Sequence, residues 1–319
     1  MRKIAILTSG GDAPGMNACI RSVTRFALSQ GLRVYGINRG YAGLIEGDIT
    51  ELDKRSVSNT IHTGGTFLQT DRCPEFLEPE YRKAGANLLR KRGIEGLVCI
   101  GGDGTFRGAM ALCKENDIKV VCIPATIDRD LGYTENTIGF DTAVNNCLWA
   151  INSLRDTMQS HNRVTVLEVM GRNCGDIALA AGLAGGAEHI IVPEVEADID
   201  GICHNLVASD NAGKRSNMVI VAEGAGKALK IAKEIEEKTQ LEARTTVLGH
   251  IQRGGSPTYF DRIIACKMGI HAVELLQEGQ KNRAIGVKGE DIFDMDLEEA
   301  LSMKRKFNEK LYHDAHKMG

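Results

Sequence analysis

Ile4-Ala5-Ile6-Leu7-Thr8-Ser9-Gly10-Gly11-Asp12-Ala13-Pro14-Gly15-Met16-Asn17 is the stretch that decides the fold class. Its apolar opening reads as a strand buried on both faces, and the strand ends in a glycine-rich turn. Directly beyond the turn, Met16, Cys19, Ile20, Val23, Phe26 and Ala27 keep the i, i+3, i+4, i+7 spacing of a helix. Glycines at a strand-to-helix junction let backbone N–H groups approach an anion, and the helix N-terminus adds partial positive charge. The turn is neither G-x-G-x-x-G nor the Walker A pattern. Taken alone it divides evenly between a phosphate-binding loop and an ordinary tight turn.

Working outward, residues 34–38, 97–100, 120–123, 164–170, 190–192 and 218–222 read as further buried strands, and residues 263–276 as an amphipathic helix. The pattern predicts βαβ units around mainly parallel sheets, and 319 residues suggest two domains. Neither a fixed-period repeat nor a Pro- or Ser-rich linker marks a boundary. The balance of 39 Lys and Arg against 42 Asp and Glu, a net charge of −3, lacks the basic excess of a dedicated nucleic-acid binder. Residues 177–187, the longest weakly apolar stretch, fall far short of a membrane span. Met1-Arg2-Lys3 leads into Ile4 without a signal-peptide pattern, so a cytoplasmic location away from membranes is expected. Nine scattered cysteines with no pair at CxxC spacing read as reduced thiols, which removes zinc and disulfide chemistry. The 36 glycines against 5% aromatic residues point to close backbone turns, as in an α/β enzyme with phosphate-binding loops.

Two more loops follow predicted strands. Gly101-Gly102-Asp103-Gly104-Thr105 places a carboxylate among glycines at the strand edge where open α/β sheets bind ligands. Beside a polyphosphate, Asp103 is suited to hold Mg²⁺; the alternative is a simple helix cap. Pro124-Ala125-Thr126-Ile127-Asp128-Arg129-Asp130 offers two carboxylates at i, i+2, one able to hold metal and the other to take a proton. Downstream, Arg163, Arg172, Arg244, His250 and Arg253 are isolated cations in apolar settings, suited to a phosphorylated small molecule. For any one of them a surface ion pair competes with that role.

These loops, with Thr137-Ile138-Gly139-Phe140-Asp141-Thr142-Ala143, Glu168-Val169-Met170-Gly171-Arg172 and Leu248-Gly249-His250 through Pro257, resemble the bacterial ATP-dependent 6-phosphofructokinase family from end to end and in order. The resemblance implies two Rossmann-like α/β domains with mainly parallel central sheets and an active site in the cleft between them. Residues 1–138 plus 251–301 would form the ATP-binding domain, and 139–250 plus 302–319 the fructose 6-phosphate-binding domain. It implies transfer of the ATP γ-phosphoryl to the C1 hydroxyl of fructose 6-phosphate in glycolysis by a homotetramer. Asp128 looks like the base, with Thr126, Arg172, Arg72 and Gly11 also catalytic, and with Asp103 and Asp130 around Mg²⁺. Gly11, Tyr41, Arg72, Cys73, Gly102, Asp103, Gly104, Thr105 and Gly108 would hold ATP. Thr126, Asp128, Asp130, Met170, Gly171, Arg172, Glu223, His250 and Arg253 would contact the sugar phosphate, with Arg163 and Arg244 reaching it from a neighbouring subunit. Relatives that use pyrophosphate carry Asp at the position of Gly104 and Lys at that of Ala125; the small residues here favour ATP.

An effector site for ADP or phosphoenolpyruvate would draw on Arg21, Arg25, Lys54, Arg155, Glu188, Gly213, Lys214 and Arg215. Lys54 and Ala212 stand where relatives carry Arg, which removes bidentate phosphate contacts. Near the chemistry, Arg129 replaces Asn, Asp71 a small uncharged residue, Thr63 an Arg, Gly132-Tyr133 a Pro-Gly turn, and Asn173-Cys174 His-Ala. Opposite charges at Asp71 and Arg129 predict a compensating ion pair, against the alternative that both point to solvent. Two rival functions remain open on sequence: a regulatory paralogue that binds nucleotide or sugar phosphate without turnover, and a kinase acting on another phosphorylated ketose.

Overall fold

The computed structural model describes every residue except Asn162, Arg215 and Gly319. Its contacts divide the chain into two compact units, Met1–Thr142 with Arg253–Arg305 and Ala143–Gln252 with Lys306–Gly319. Strands β1 (Lys3–Ser9), β2 (Arg33–Ile37), β3 (Ile49–Leu52), β4 (Gly96–Gly101) and β5 (Lys119–Pro124) belong to the first unit. The second holds β6 (Arg163–Val169), β7 (His189–Ile191), β8 (Ser216–Ala222) and β9 (Ala243–Val247). Strands β10 (Arg283–Lys288) and β11 (Asp291–Asp296) return to the first.

The first unit is built on a seven-stranded sheet in the order β11-β10-β5-β4-β1-β2-β3. Its five inner strands run parallel, while β3 and β11 pair antiparallel at the two edges. Ile4, Ile6, Val98, Ile100, Val121 and Ile123 are fully buried, as continuous apolar strands between helical layers must be. The order reverses between β1 and β4, the topological switch point at which open α/β sheets leave a crevice beyond the strand ends. Helices Met16–Ser29 and Tyr259–Gln277 pack together on this sheet, with the Ser22 hydroxyl donating to the Cys266 carbonyl at 2.7 Å.

The second unit carries a four-stranded, wholly parallel sheet in the order β7-β8-β6-β9. Its core lies between the sheet and helices Ile199–Asn211 and Ala228–Thr239, with Val166, Leu206, Val219, Val221 and Ile235 fully buried. Among the described residues, no helix is long and apolar enough to cross a membrane.

Candidate active site

Three loops leave the C-terminal ends of the neighbouring strands β1, β4 and β5, on both sides of the switch point. They are residues 10–15, 101–105 and 124–130. Backbone and hydroxyl bonds tie them together. The Thr105 hydroxyl donates to the Ser9 carbonyl at 2.9 Å, the Ala125 N–H to Gly101 at 2.9 Å, and the Thr137 hydroxyl to Thr126 at 2.6 Å. Thr126, Asp128, Asp130, Gly11, Gly102, Asp103, Gly104 and Thr105 therefore gather at one edge of one sheet.

Asp128 is only 1% exposed, and its N–H donates to the Thr126 hydroxyl at 3.2 Å. A buried acidic side chain on a pinned loop has few alternative positions, which suits a base that must meet one hydroxyl. Gly102 takes the N-cap position of helix Asp103–Asn116, so Asp103 is the first residue of the helix and not its cap. Its carboxylate instead pairs with Arg107 at 2.7 Å, one turn on.

Gly104 and Gly11 differ in what a side chain would meet. A Cβ at Gly104 would have nothing within 4 Å, and the φ of this residue is not positive. A glycine in a helix costs about 1 kcal/mol against alanine, and no contact within the protein explains this one. The space it keeps open faces outward, where the residue is exposed. At Gly11 a Cβ would sit 2.6 Å from Nη1 of Arg253, which donates to the Asp12 carbonyl at 3.1 Å. Arg253, expected at the sugar phosphate, thus lies against the first glycine loop.

Other expected nucleotide residues take different places. Tyr41 is 5% exposed, stacks on Phe76 with ring centroids 4.0 Å apart, and donates its hydroxyl to the Thr105 carbonyl at 2.5 Å. It supports the second loop from below rather than offering its ring to a ligand. A Cβ at Gly108 would come within 2.8 Å of that ring, so this glycine serves the same packing. Arg72 is exposed, and Cys73 is half-buried, its thiol pushed up chiefly by burial. The expected ion pair between Asp71 and Arg129 is absent among the described residues. The backbone of Arg129 is left-handed, at φ 52°, and its guanidinium carbon lies 5.0 Å from the Phe140 ring centroid while Asp71 is exposed.

In the second unit, the expected sugar-phosphate residues separate into two groups. Met170, Gly171 and Arg172 follow β6, Glu223 follows β8 and His250 follows β9, all beyond the C-terminal ends of adjacent strands. The Arg172 N–H donates to Glu223 Oε1 at 3.0 Å, and the Glu223 N–H to the Val169 carbonyl at 2.8 Å. Arg163 and Arg244 lie at the opposite edge, near the starts of β6 and β9, where Thr165 pairs with Arg244. The length of β6 separates Arg163 from Met170 by roughly 20 Å. Both arginines bind one carboxylate, Arg163 Nε at 2.8 Å from Glu242 Oε2 and Arg244 Nη2 on Oε1. Hydrogen bonding from Arg163, together with the two cationic charges, holds the Glu242 carboxyl below its usual range.

Among the expected effector residues, Lys214 pairs with Glu188 at 3.0 Å and Arg155 donates to the carbonyls of Gly185 and Gly186. Gly213 is exposed beside Lys214; Arg21, Arg25 and Lys54 belong to the first unit, and Arg215 lies outside the described residues. Two organising residues escaped sequence reasoning, Gln252 and Asp261, both fully buried. From the sequence alone each reads as a solvent-facing polar residue, Gln252 within a polar loop and Asp261 in the first turn of a helix.

A family model described as Phosphofructokinase matches residues 3–276. The ATP-dependent 6-phosphofructokinase of Clostridium tetani is 59% identical over 315 residues, covering 99% of this chain and 98% of that protein. The protein of the same description from Clostridium acetobutylicum is 55% identical over 312 residues, 98% of each chain. Among solved structures, phosphofructokinase from Saccharomyces cerevisiae superposes with a TM-score of 0.90 at 30% identity over 99% of this chain, which spans 50% of the yeast chain.

Proposed function

The chain belongs to the phosphofructokinase family, and from that membership we propose that it transfers the γ-phosphoryl of ATP to the C1 hydroxyl of fructose 6-phosphate, giving fructose 1,6-bisphosphate and ADP. The carrying observation is the convergence of Gly11, Asp103, Gly104, Thr126 and Asp128 beyond three adjacent parallel strands at a switch point. In this reading the C1 oxygen bonds to the γ-phosphorus as the β–γ bridging bond breaks, and the hydroxyl proton passes to Asp128. Phosphoryl transfer asks mainly for positioning and electrostatics. Backbone N–H groups of the two glycine loops hold the phosphates, and Arg72 and Arg172 meet the charge that develops. Met170, Gly171, Glu223, His250 and Arg253 orient the sugar, with Asp130 beside the acceptor.

Among the described residues no group of three or more His, Cys, Asp or Glu could hold a metal ion. One outward carboxylate, Asp103, fits Mg²⁺ carried in on the nucleotide, since that ion keeps its waters and takes one or two protein carboxylates beside substrate phosphates. Bound there, Mg²⁺ would neutralise phosphate charge. For the donor, the open space at Gly104 and the small Ala125 fit ATP. Since Arg163 and Arg244 lie roughly 20 Å along the sheet from the Met170 turn, they serve the sugar phosphate of a second copy of the chain, in a cytoplasmic homotetramer. Binding of ADP or phosphoenolpyruvate would use the residues around Glu188 and Lys214.

ADP release with fructose 6-phosphate, measured with ATP and with pyrophosphate, tests the reading. Turnover with ATP alone is expected. No turnover with either donor would leave a binding protein, and turnover only with other phosphorylated ketoses would move the acceptor.

A further inference from the structure

Gln252 is fully buried in the second unit, at the point where the chain leaves it for the first. A buried primary amide must find partners for its oxygen and its nitrogen. Its Oε1 accepts from the Met170 N–H at 3.0 Å and lies 3.3 Å from the Cys147 thiol, while Nε2 donates to the Gly249 carbonyl at 3.0 Å. Met170 opens the turn beyond β6, and Gly249 opens the turn Gly249–Arg253 beyond β9. One side chain therefore bridges loops that leave two adjacent parallel strands. The neighbouring backbone bond, from the Leu248 N–H to the Glu168 carbonyl at 3.2 Å, is the last rung between those strands before they part. Beyond it, the amide of Gln252 carries the connection.

The Met170 turn also needs such a hold. Arg172 sits in the left-handed region at φ 53°, a conformation that costs energy for a residue with a side chain and persists only where surrounding contacts impose it. Glu223 restrains the far side of that turn through the Arg172 N–H, and Gln252 restrains the near side through Met170.

We propose that Gln252 is a positioning residue for the sugar-phosphate side of the site, its amide fixing the Met170–Arg172 turn against the His250 turn and so setting affinity for the acceptor without touching it. The inference deepens the phosphofructokinase reading and rests on it.

Gln252→Met keeps the volume and removes both hydrogen-bonding groups; Gln252→Glu keeps an acceptor for Met170 but not the donor to Gly249. Losing a partner of a buried amide should raise the KM for fructose 6-phosphate on the order of tenfold in the Met variant, with the KM for ATP within about twofold. Hydrogen exchange should quicken at residues 168–174 and 248–252 while the rest of the chain keeps its protection. In the Glu variant, which also covers a failure of the Met variant to fold, protection at Met170 should survive while the 248–252 turn loosens. In the Met variant an unchanged acceptor KM, a parallel rise in both KM values, or undisturbed exchange at Met170 would overturn the proposal, as would an undisturbed 248–252 turn in the Glu variant. A wild-type protein without fructose 6-phosphate turnover but with the expected exchange pattern would instead overturn the kinase reading and leave the clamp in place.

Discussion

At the scale of single residues, function is most visible where a residue has no use to the fold. Gly104 is such a case, because neither its backbone angle nor any neighbour within 4 Å asks for glycine. Gly104→Asp should therefore fold as well as the parent. An acidic residue in the first turn of a helix is favourable by about 0.3 to 1 kcal/mol, so the melting temperature should hold or rise slightly. The same carboxylate beside incoming phosphates should raise the KM for ATP on the order of tenfold or more, as like charges brought together do. A variant whose ATP kinetics match the parent would show that the nucleotide does not pass this loop. Gly11, by contrast, has a neighbour inside the protein, since a Cβ there would come within 2.6 Å of Arg253 Nη1. A glycine count cannot tell these two apart; the local geometry does.

Asp261 belongs to the scale of elements, because its carboxylate caps a helix other than its own. It accepts from the N–H groups of Gly139 and Thr142 at 2.9 and 2.8 Å and from the Thr142 hydroxyl at 2.5 Å, at the start of helix Phe140–His161. Burial, the largest effect, pushes its carboxyl from the usual 3.8 up to about 6, against the lowering by these bonds. With the folded pKa raised, the native state binds the proton more tightly than the unfolded chain between those values. The stability contribution is therefore full below about pH 4 and is lost as pH rises through 6, by on the order of 3 kcal/mol. Asp261→Asn should cost about 1 to 3 kcal/mol at low pH through lost acceptor capacity, and that cost should shrink by pH 8. Denaturant unfolding of both proteins at pH 5 and pH 8 decides it; a cost that grows with pH would mean that the ionised carboxylate is the favoured form. Strands β1, β4, β5, β6 and β8 and the loops after them were legible through their apolar runs, whereas the inner strand β10, Arg-Ala-Ile-Gly-Val-Lys, was not, its short apolar run being split by Gly286. Strand β3, with Thr50 and Glu51, and strand β11, with Asp291, Asp294 and Asp296, are incompletely buried edge strands, and the polar residues within them hide them. Strand β9, Ala-Arg-Thr-Thr-Val, is an edge of the second sheet and was hidden for the same reason. The candidate catalytic residues were legible through motif order, whereas Gln252 and Asp261 act through partners more than 80 positions away, which no local pattern records.

For the whole molecule, the separation of Arg163 and Arg244 from the Met170 turn turns assembly into a question about chemistry. If those arginines serve a neighbouring chain, two defective chains can repair each other. Asp128→Asn should lose most turnover, and Arg244→Ala should bind fructose 6-phosphate poorly. In mixed oligomers, a site that takes Asp128 from one kind of chain and Arg244 from the other has both groups intact. Random reassembly of equal amounts should then return about a quarter of wild-type turnover, since each of the two contributions is intact half the time. The single tryptophan provides a separate readout. Trp149 is 69% exposed, and Asn146, three residues earlier on its helix, donates to the carbonyl of the exposed Ile251 at 3.3 Å, so an aromatic and a branched aliphatic side chain share that face. A second copy seated there should shift Trp149 emission to the blue as concentration rises, in step with activity. Mixed oligomers that form by mass yet stay inactive, or a dilute monomer that keeps full activity, would defeat the shared site. Emission that stays red in an active oligomer would place the interface on another face while leaving the complementation result to stand.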